Sequence, residues 1–445
     1  MESFRQMPGY VRGEIEQRLL DRLTGLATRE AAIPIIEGAL GSLKTAAVML
    51  LNLDRFYLIN ESDGIDFGDA VLSAFAERLL QARGLGGYPI CRYGGNTFLF
   101  VLDEEDVEAQ AERIRKIAEL PLHVQQRELQ LSVSCGIAQA PYHGKHAPEL
   151  LRHSDTALHQ AKTLHYTTAS VSYSVELGRA SCRRNVVEGG LRRALELGEL
   201  RVMFQPQYQA ENGELRGVEA LLRWEHPELG SISPAEFVPI AEETGLIRGI
   251  GEWVIRAAGL QFTRFREFVS GGQPFRLSVN LSAVQLSDPT FAERIILLLD
   301  ELELPPACLE LELTESFLLQ EVELAKQNLL HLQGNGVRIA LDDFGTGYSS
   351  LSYLSQLPAD VVKLDKSFVQ PHDEDQTCWL IAESIVGMAR KLGLEVVAEG
   401  VENQEQLARV KDWGCDAVQG YLFCRPLEGV ELDAMLSQTY GGSMQ

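Results

Sequence analysis

Three observations predict a two-domain α/β protein, with a smaller α+β unit followed by a (β/α)8 barrel. The chain is 445 residues long, helices and short strands mix up to about His165, and a strand-then-helix rhythm repeats after residue 190. A single core stops growing at roughly 250–300 residues, so this length divides into domains. About eight strand signals in roughly 250 residues fit a closed barrel, although an open doubly wound sheet shares the same local pattern.

The elements follow in order. Residues 1–20 can make little more than a helical lead, and the first domain is placed at 21–169. "AAVMLLNLD" (46–54) is a buried-strand run, and "DAVLSAFAERLLQAR" (69–83) has the spacing of an amphipathic helix. "YPICRY" and "TFLFVL" form the arms of a hairpin about Gly94 and Gly95. A helix over Val107 to Leu120, a strand at "LQLSVSCGIA" and a helix at "APELLRHSDTALHQAKTL" complete a largely antiparallel α+β unit. The stretch 170–190 loses strand signals and gathers Arg183, Arg184, Gly189 and Gly190, which predicts a linker. The second domain, 191–440, has strand candidates at 200–208, 215–224, 275–282, 309–314, 337–344, 361–365, 395–402 and 417–423.

The charge balance narrows the function. With 63 acidic against 40 basic residues and a net charge of −23, most of the surface repels phosphate backbones and anionic lipid. Non-specific nucleic-acid and membrane binding are therefore disfavoured. No apolar run approaches the roughly 18 residues of a membrane span, and the start lacks a signal peptide's basic-then-apolar plan, so a cytoplasmic location is expected. The seven cysteines stand singly, as free thiols would. His143 and His146 in "HGKH" have no neighbours to complete a zinc set and are read as solvated loop.

Acids and one amide stand at successive barrel strand ends: Glu219, Asn280, Glu312 with Glu315, Asp342 with Asp343, Asp365, and Glu399 with Glu402. Anions packed this closely repel one another and raise each other's pKa, so cations must sit among them. Oxygen donors without His or Cys favour hard ions such as Mg²⁺ or Mn²⁺. Two such ions suit in-line attack of hydroxide on a phosphodiester. Lys363, two residues before Asp365, shares its strand face and aims a positive charge at the same pocket.

"EALLRW" (219–224), "NLS" (280–282), "ELTES" (312–316), "DDFGTGYSSL" (342–351), "KLD" (363–365), "EGVE" (399–402) and "QGY" (419–421) occur in this order. From about Arg193 to Leu436 the chain thereby resembles the EAL family of cyclic di-GMP phosphodiesterases. The resemblance implies two Mg²⁺ or Mn²⁺ ions, hydrolysis of cyclic di-GMP to linear 5′-pGpG, and a homodimer through this domain. It implies that Glu219, Asn280, Glu312 and Asp342 hold one metal, and that Asp342 and Asp343 hold the second with Asp365 or Glu399 nearby. Lys363, Glu399 and Glu315 make up the implied catalytic set, Lys363 positioning the attacking water. Glu315 and Glu402 match residues that fix ligand and loop geometry; the group that takes the proton stays open. Arg223 would pair with a substrate phosphate, and Gln205 and Gln419 would place the guanines. The glycine-flanked Thr346 loop is either a regulatory flap or a tight turn.

"DRLTGLATRE" (21–30), "LDRFYLINESDGIDFGD" (53–69), "RYGGNTF" (92–98) and "SDTALHQAK" (154–162) resemble the GGDEF diguanylate cyclases. A cyclase needs carboxylates on the first strand and at the hairpin tip to hold Mg²⁺ over GTP. Here those positions are Asn52 and Asn96–Thr97, while Tyr57, His165 and Tyr166 replace groups that would meet phosphate. The feedback motif is also absent, with Leu85 and Tyr88 at its spacing. A cyclase-inactive domain is expected. Asn60, Asp69 and Lys162 remain, either as a regulatory GTP site or as relics of a structural domain. The rival to the enzyme reading is a cyclic di-GMP receptor that signals to a protein partner without cutting its ligand.

Overall fold

The computed structural model describes residues 19–42, 46–82, 90–102, 106–163, 170–269, 275–314, 323–345, 358–370 and 376–440. It divides into two compact units, Met1–Asn185 and Val186–Gln445. Among the described residues no helix is long and apolar enough to cross a membrane.

The first unit is built on β1 (Ala46–Leu53), β2 (Cys91–Gly94), β3 (Thr97–Leu102), β6 (Val133–Ala140) and β7 (Ser170–Ser172), in the order β2-β3-β1-β6-β7. Between β3 and β6 a separate hairpin, β4 (Leu122–Val124) with β5 (Arg127–Leu129), turns through Gln125 and Gln126, both at positive φ. Every residue of β1 is buried, which explains its unbroken apolar run. Met49 and Leu51 face one core with Phe75 and Ile114, while Val48 and Leu50 face another with Ile36 and Leu150. Layers on both faces remove the usual in–out alternation.

The expected linker is ordered differently from its reading. Ser170–Ser172 pairs parallel with β6, and α-helix Val175–Ala194 follows. A three-residue edge strand is too short to show a period, and three glycines dilute the helical signal. Gly190 is there for packing: a Cβ would meet His226 and Trp224 at 3.1 Å.

The second unit comprises β8 (Leu200–Gln209), β9 (Leu215–His226), β10 (Gly230–Ile232), β11 (Arg276–Asn280), β12 (Leu309–Thr314), β13 (Arg338–Phe344), β14 (Val361–Leu364), β15 (Glu395–Ala398), β16 (Ala417–Val418) and β17 (Leu427–Glu428). The ring runs β8-β9-β11-β12-β13-β14-β15-β16 and returns to β8, an eight-stranded barrel rather than an open sheet. One expectation is corrected: β8 lies antiparallel to both β9 and β16. The connection Ala210–Glu214 is too short for a crossover and forces a hairpin. The other seven strands are parallel; Asn280 ends β11, Glu312 lies near the end of β12, and Glu219, expected at a strand end, lies inside the longer β9 but meets Asn280 on the same face.

The opposite end of the barrel holds buried ions near the strand starts. Arg216 donates to Glu310 Oε2 at 2.9 Å and Glu395 Oε1 at 2.5 Å, while Arg276 and Arg338 reach Glu395 Oε2 at 2.9 and 2.8 Å. Burial pushes Glu395 up, but the three guanidiniums outweigh it and hold its carboxyl at about 2. A depressed folded-state pKa stabilises the fold above the ordinary value of 4.5, and that contribution disappears as pH falls towards 2. Thermal melting of the parent and of Glu395→Gln across this window should therefore show a steeper acid loss in the parent. Parallel pH curves would contradict the assignment.

Candidate active site

The site forms around Lys363, whose side chain is 1% exposed at the mouth-facing part of β14. Its Nζ lies 2.6 Å from Glu399 Oε1, 2.7 Å from Glu312 Oε2, 3.2 Å from Asp342 Oδ1 and 3.8 Å from Glu219 Oε2. Burial alone would lower the lysine's pKa, but these carboxylates raise it well above its ordinary value, so it stays charged. Burial, then the Glu219 charge, raises Glu312 well above the carboxylate range, and burial pushes Glu399 up to about 8 despite Lys363. Glu219 moves the other way. Burial raises it, but Lys363 and hydrogen bonds from Gln419 and Asn280 bring it below its ordinary value.

Asp342 and Asp343 would point to opposite faces of a regular strand. The register with β14 shifts between Leu341 and Phe344, and Asp343 adopts φ 54°. This irregularity turns both carboxylates to one site, as β-bulges do when they re-aim a side chain. Oxygens of Asp342, Asp343 and Glu399 lie within 4.8 Å of one another. Glu312 Oε1, fully buried, finds no hydrogen-bond donor among the described residues. Convergent carboxylate oxygens and an orphaned buried one fit hard divalent cations.

The remaining predicted residues divide. Asn280 donates to Glu219 Oε1 at 2.8 Å and so belongs to the cluster. Asp365 accepts from the Ser367 N–H at 2.9 Å as a helix cap, at the rim of the cluster, where its charge contributes to the raised pKa of Asp343 after burial and Asp342. Arg223 is half-buried and lines a cavity of about 750 Å³ with Asn280, Ser282, Asp343 and the apolar Val238 and Ile250. Glu402 is exposed beside the capping box of helix Gln404–Trp413. Glu315 and the Thr346 loop lie outside the described residues.

Gln205 and Gln419 stand elsewhere than expected. Both are buried behind Glu219, with Gln419 Nε2 donating to Glu219 Oε2 at 2.7 Å and to Gln205 Oε1 at 3.0 Å. Gln205 Nε2 donates to the Cys424 carbonyl at 3.2 Å. Their hydrogen-bonding groups are engaged with protein, so the geometry gives them a ligand-orienting place rather than a guanine-reading one. Sequence reading also missed Gln207, Arg216, Glu310 and Glu395. The available signal for the charged three was a charge near the start of an otherwise apolar strand, as Glu310 stands before Glu312 in "LELELT"; Gln207 gave none.

In the first unit, Asn52 Nδ2 donates to Thr97 Oγ1 at 2.8 Å, and Asn96 Nδ2 to the Leu53 carbonyl at 2.6 Å. The neutral Asn52, Asn96 and Thr97 thus tie the hairpin tip to β1. Asn60 Oδ1 fills the space a Cβ on Gly68 would need, at 2.0 Å, so helices Phe56–Asp63 and Ile65–Ala82 close together there. Lys162 stands exposed near the end of helix Ala147–Thr163, where partial desolvation of its ammonium lowers its pKa against the pull of Asp54 and Asp155.

An eight-stranded barrel with one reversed strand and a lysine-centred carboxylate cluster at its mouth, preceded by a five-stranded α+β unit, defines a two-domain protein with an oxygen-donor metal-type site. The chain belongs to the EAL domain family, whose model matches residues 188–426, and residues 18–166 match the diguanylate cyclase GGDEF domain. It is 35% identical over 441 residues to the cyclic di-GMP phosphodiesterase NbdA of Pseudomonas aeruginosa, covering 98% of this chain and 54% of NbdA. The bifunctional diguanylate cyclase/cyclic di-GMP phosphodiesterase MucR of the same organism is 36% identical over 95% of this chain and 62% of MucR. The chain thus spans roughly half to three-fifths of these curated relatives. A solved PaMucR phosphodiesterase in a c-di-GMP complex is 41% identical and superimposes with a TM-score of 0.53, covering 56% of this chain and 99% of that one.

Proposed function

We propose that the barrel is a metal-dependent phosphodiesterase that opens cyclic di-GMP to linear 5′-pGpG. The observation that carries this reading is the Lys363-centred carboxylate cluster with the orphaned Glu312 oxygen at the barrel mouth. Glu219, Asn280, Glu312 and Asp342 would hold one divalent ion, and Asp342 and Asp343, with Asp365 or Glu399, a second. Bound there, Mg²⁺ or Mn²⁺ supplies an acidified water and charge neutralisation at the phosphodiester. Lys363 keeps the cluster's net charge low enough for a dianionic substrate to approach, and orients the water. Arg223, at the cavity wall, pairs with a phosphate through its planar fork. The names of NbdA and MucR support the same chemistry. A homodimer through the barrel forms part of the reading.

Incubation of purified protein with cyclic di-GMP and Mg²⁺ or Mn²⁺ tests it. Expected is 5′-pGpG, abolished by EDTA and barely supported by Ca²⁺, which is larger and less demanding of octahedral geometry. Tight binding without product would favour the receptor alternative.

The name of MucR includes a diguanylate cyclase activity. We propose that the GGDEF unit of this chain makes no cyclic di-GMP, because Asn52, Asn96 and Thr97 are neutral and bonded to one another or to backbone. Asn60, Asp69 and Lys162 would grip a guanine and a phosphate in a regulatory role. Calorimetry is expected to show GTP binding that raises barrel turnover, with Asp69→Ala removing both effects. A ligand shifts an equilibrium only through differential affinity, so heat without a rate change ends the regulatory reading.

A further inference from the structure

We infer that Gln207 is a positioning residue for the metal site, setting the polarity of a side-chain relay that runs from the ionic floor of the barrel to Glu219. The inference rests on reading Glu219 as a metal ligand.

The relay begins at Arg216, which is 2% exposed and held by Glu310 and Glu395. A guanidinium only donates hydrogen bonds. Arg216 Nη1, 2.6 Å from Gln207, therefore requires the amide oxygen of Gln207 on its side. The Gln207 NH₂ is then turned to Gln419 Oε1 at 3.0 Å. With its oxygen occupied, Gln419 must present its NH₂ to Glu219 Oε2 at 2.7 Å and Gln205 Oε1 at 3.0 Å. A flipped Gln419 would set an amide oxygen against the carboxylate. Each contact dictates the next, and Gln207, fully buried on β8, joins Arg216 to Gln419 without itself lining the cavity.

The polarity makes this separable from packing. Gln207→Glu keeps the shape and the Arg216 partner, but its second oxygen faces Gln419 Oε1 and drives that amide to flip. Gln207→Met keeps the volume and leaves Gln419 without its donor. A packing role predicts that the Glu variant keeps the parent's Mn²⁺ affinity. The relay predicts the reverse.

The test is calorimetric titration of Mn²⁺ into the full chain and both variants, with thermal melting of each. We expect Mn²⁺ affinity to fall about 10–100-fold, as for other groups that orient a metal ligand, and further in Gln207→Glu than in Gln207→Met. Melting of the Glu variant should stay near the parent's. Unchanged Mn²⁺ affinity in the Glu variant overturns the inference; should that variant not fold, unchanged affinity in a folded Met variant does so. A parent that binds Mn²⁺ without cutting cyclic di-GMP removes the phosphodiesterase reading and leaves this one standing. A parent that binds no Mn²⁺ overturns both.

Discussion

Glu219→Gln is expected to lower cyclic di-GMP turnover by about a thousand-fold or more, with the fold retained. Both carboxylate oxygens of Glu219 accept hydrogen bonds, from Asn280 at 2.8 Å and Gln419 at 2.7 Å, and Lys363 lies 3.8 Å away. The substitution preserves the shape but exchanges an acceptor for a donor, so one of the two amides meets an N–H where it needs an oxygen. It also removes the negative charge that would hold a metal. Metal-assisted charge stabilisation is worth several kcal/mol, and each 1.4 kcal/mol is about tenfold in rate. Steady-state rates at saturating Mg²⁺, alongside Mn²⁺ titration, measure the effect. Retention of more than about a tenth of parental turnover would remove Glu219 from the metal set.

Arg216→Met is expected to destabilise the barrel by about 3–5 kcal/mol, the usual cost of orphaning a buried charge. The loss falls chiefly on Glu310, which is completely buried. Without Arg216 it keeps the Ser278 hydroxyl at 3.0 Å and a 3.5 Å approach from Arg338 Nε. Glu395 fares better, since Arg276 and Arg338 remain at 2.9 and 2.8 Å. For a unit of this size the melting midpoint should drop on the order of 10 °C. Adding Glu310→Gln to the same chain should recover part of the loss by removing the unpaired charge. A midpoint within about 2 °C of the parent would show that water or rearranged partners solvate Glu310.

Much of the site is legible from local strings because most of the parallel strands carry an acid or amide on or just after them, and a parallel barrel brings these to one face. Glu219, Asn280, Glu312, Asp342 and Glu399 do meet around Lys363 or one another. Asn52, Asn96 and Thr97 were equally readable, since the neutrality of a residue needs no partner to be seen. For Gln205 and Gln419 the sequence gave a place in the site but not their contacts with each other and Glu219. They are 214 residues apart, and only closure of the ring through antiparallel β8 sets them behind Glu219.

By itself the sequence determined the division into two units, the count of barrel strands, the series of acids along the barrel and the neutral Asn52, Asn96 and Thr97 of the first unit. Each of these lies in local periodicity or in the chemical type of a residue. Only the tertiary structure decided the reversal of β8, the turn that brings Asp342 and Asp343 to one site, and the pairing of Arg216 with Glu310 and Glu395. Arg216 and Glu395 are separated by 179 positions. A charge within an apolar strand shows no sign of whether it is solvated or paired until the barrel closes and brings its partner within hydrogen-bonding distance.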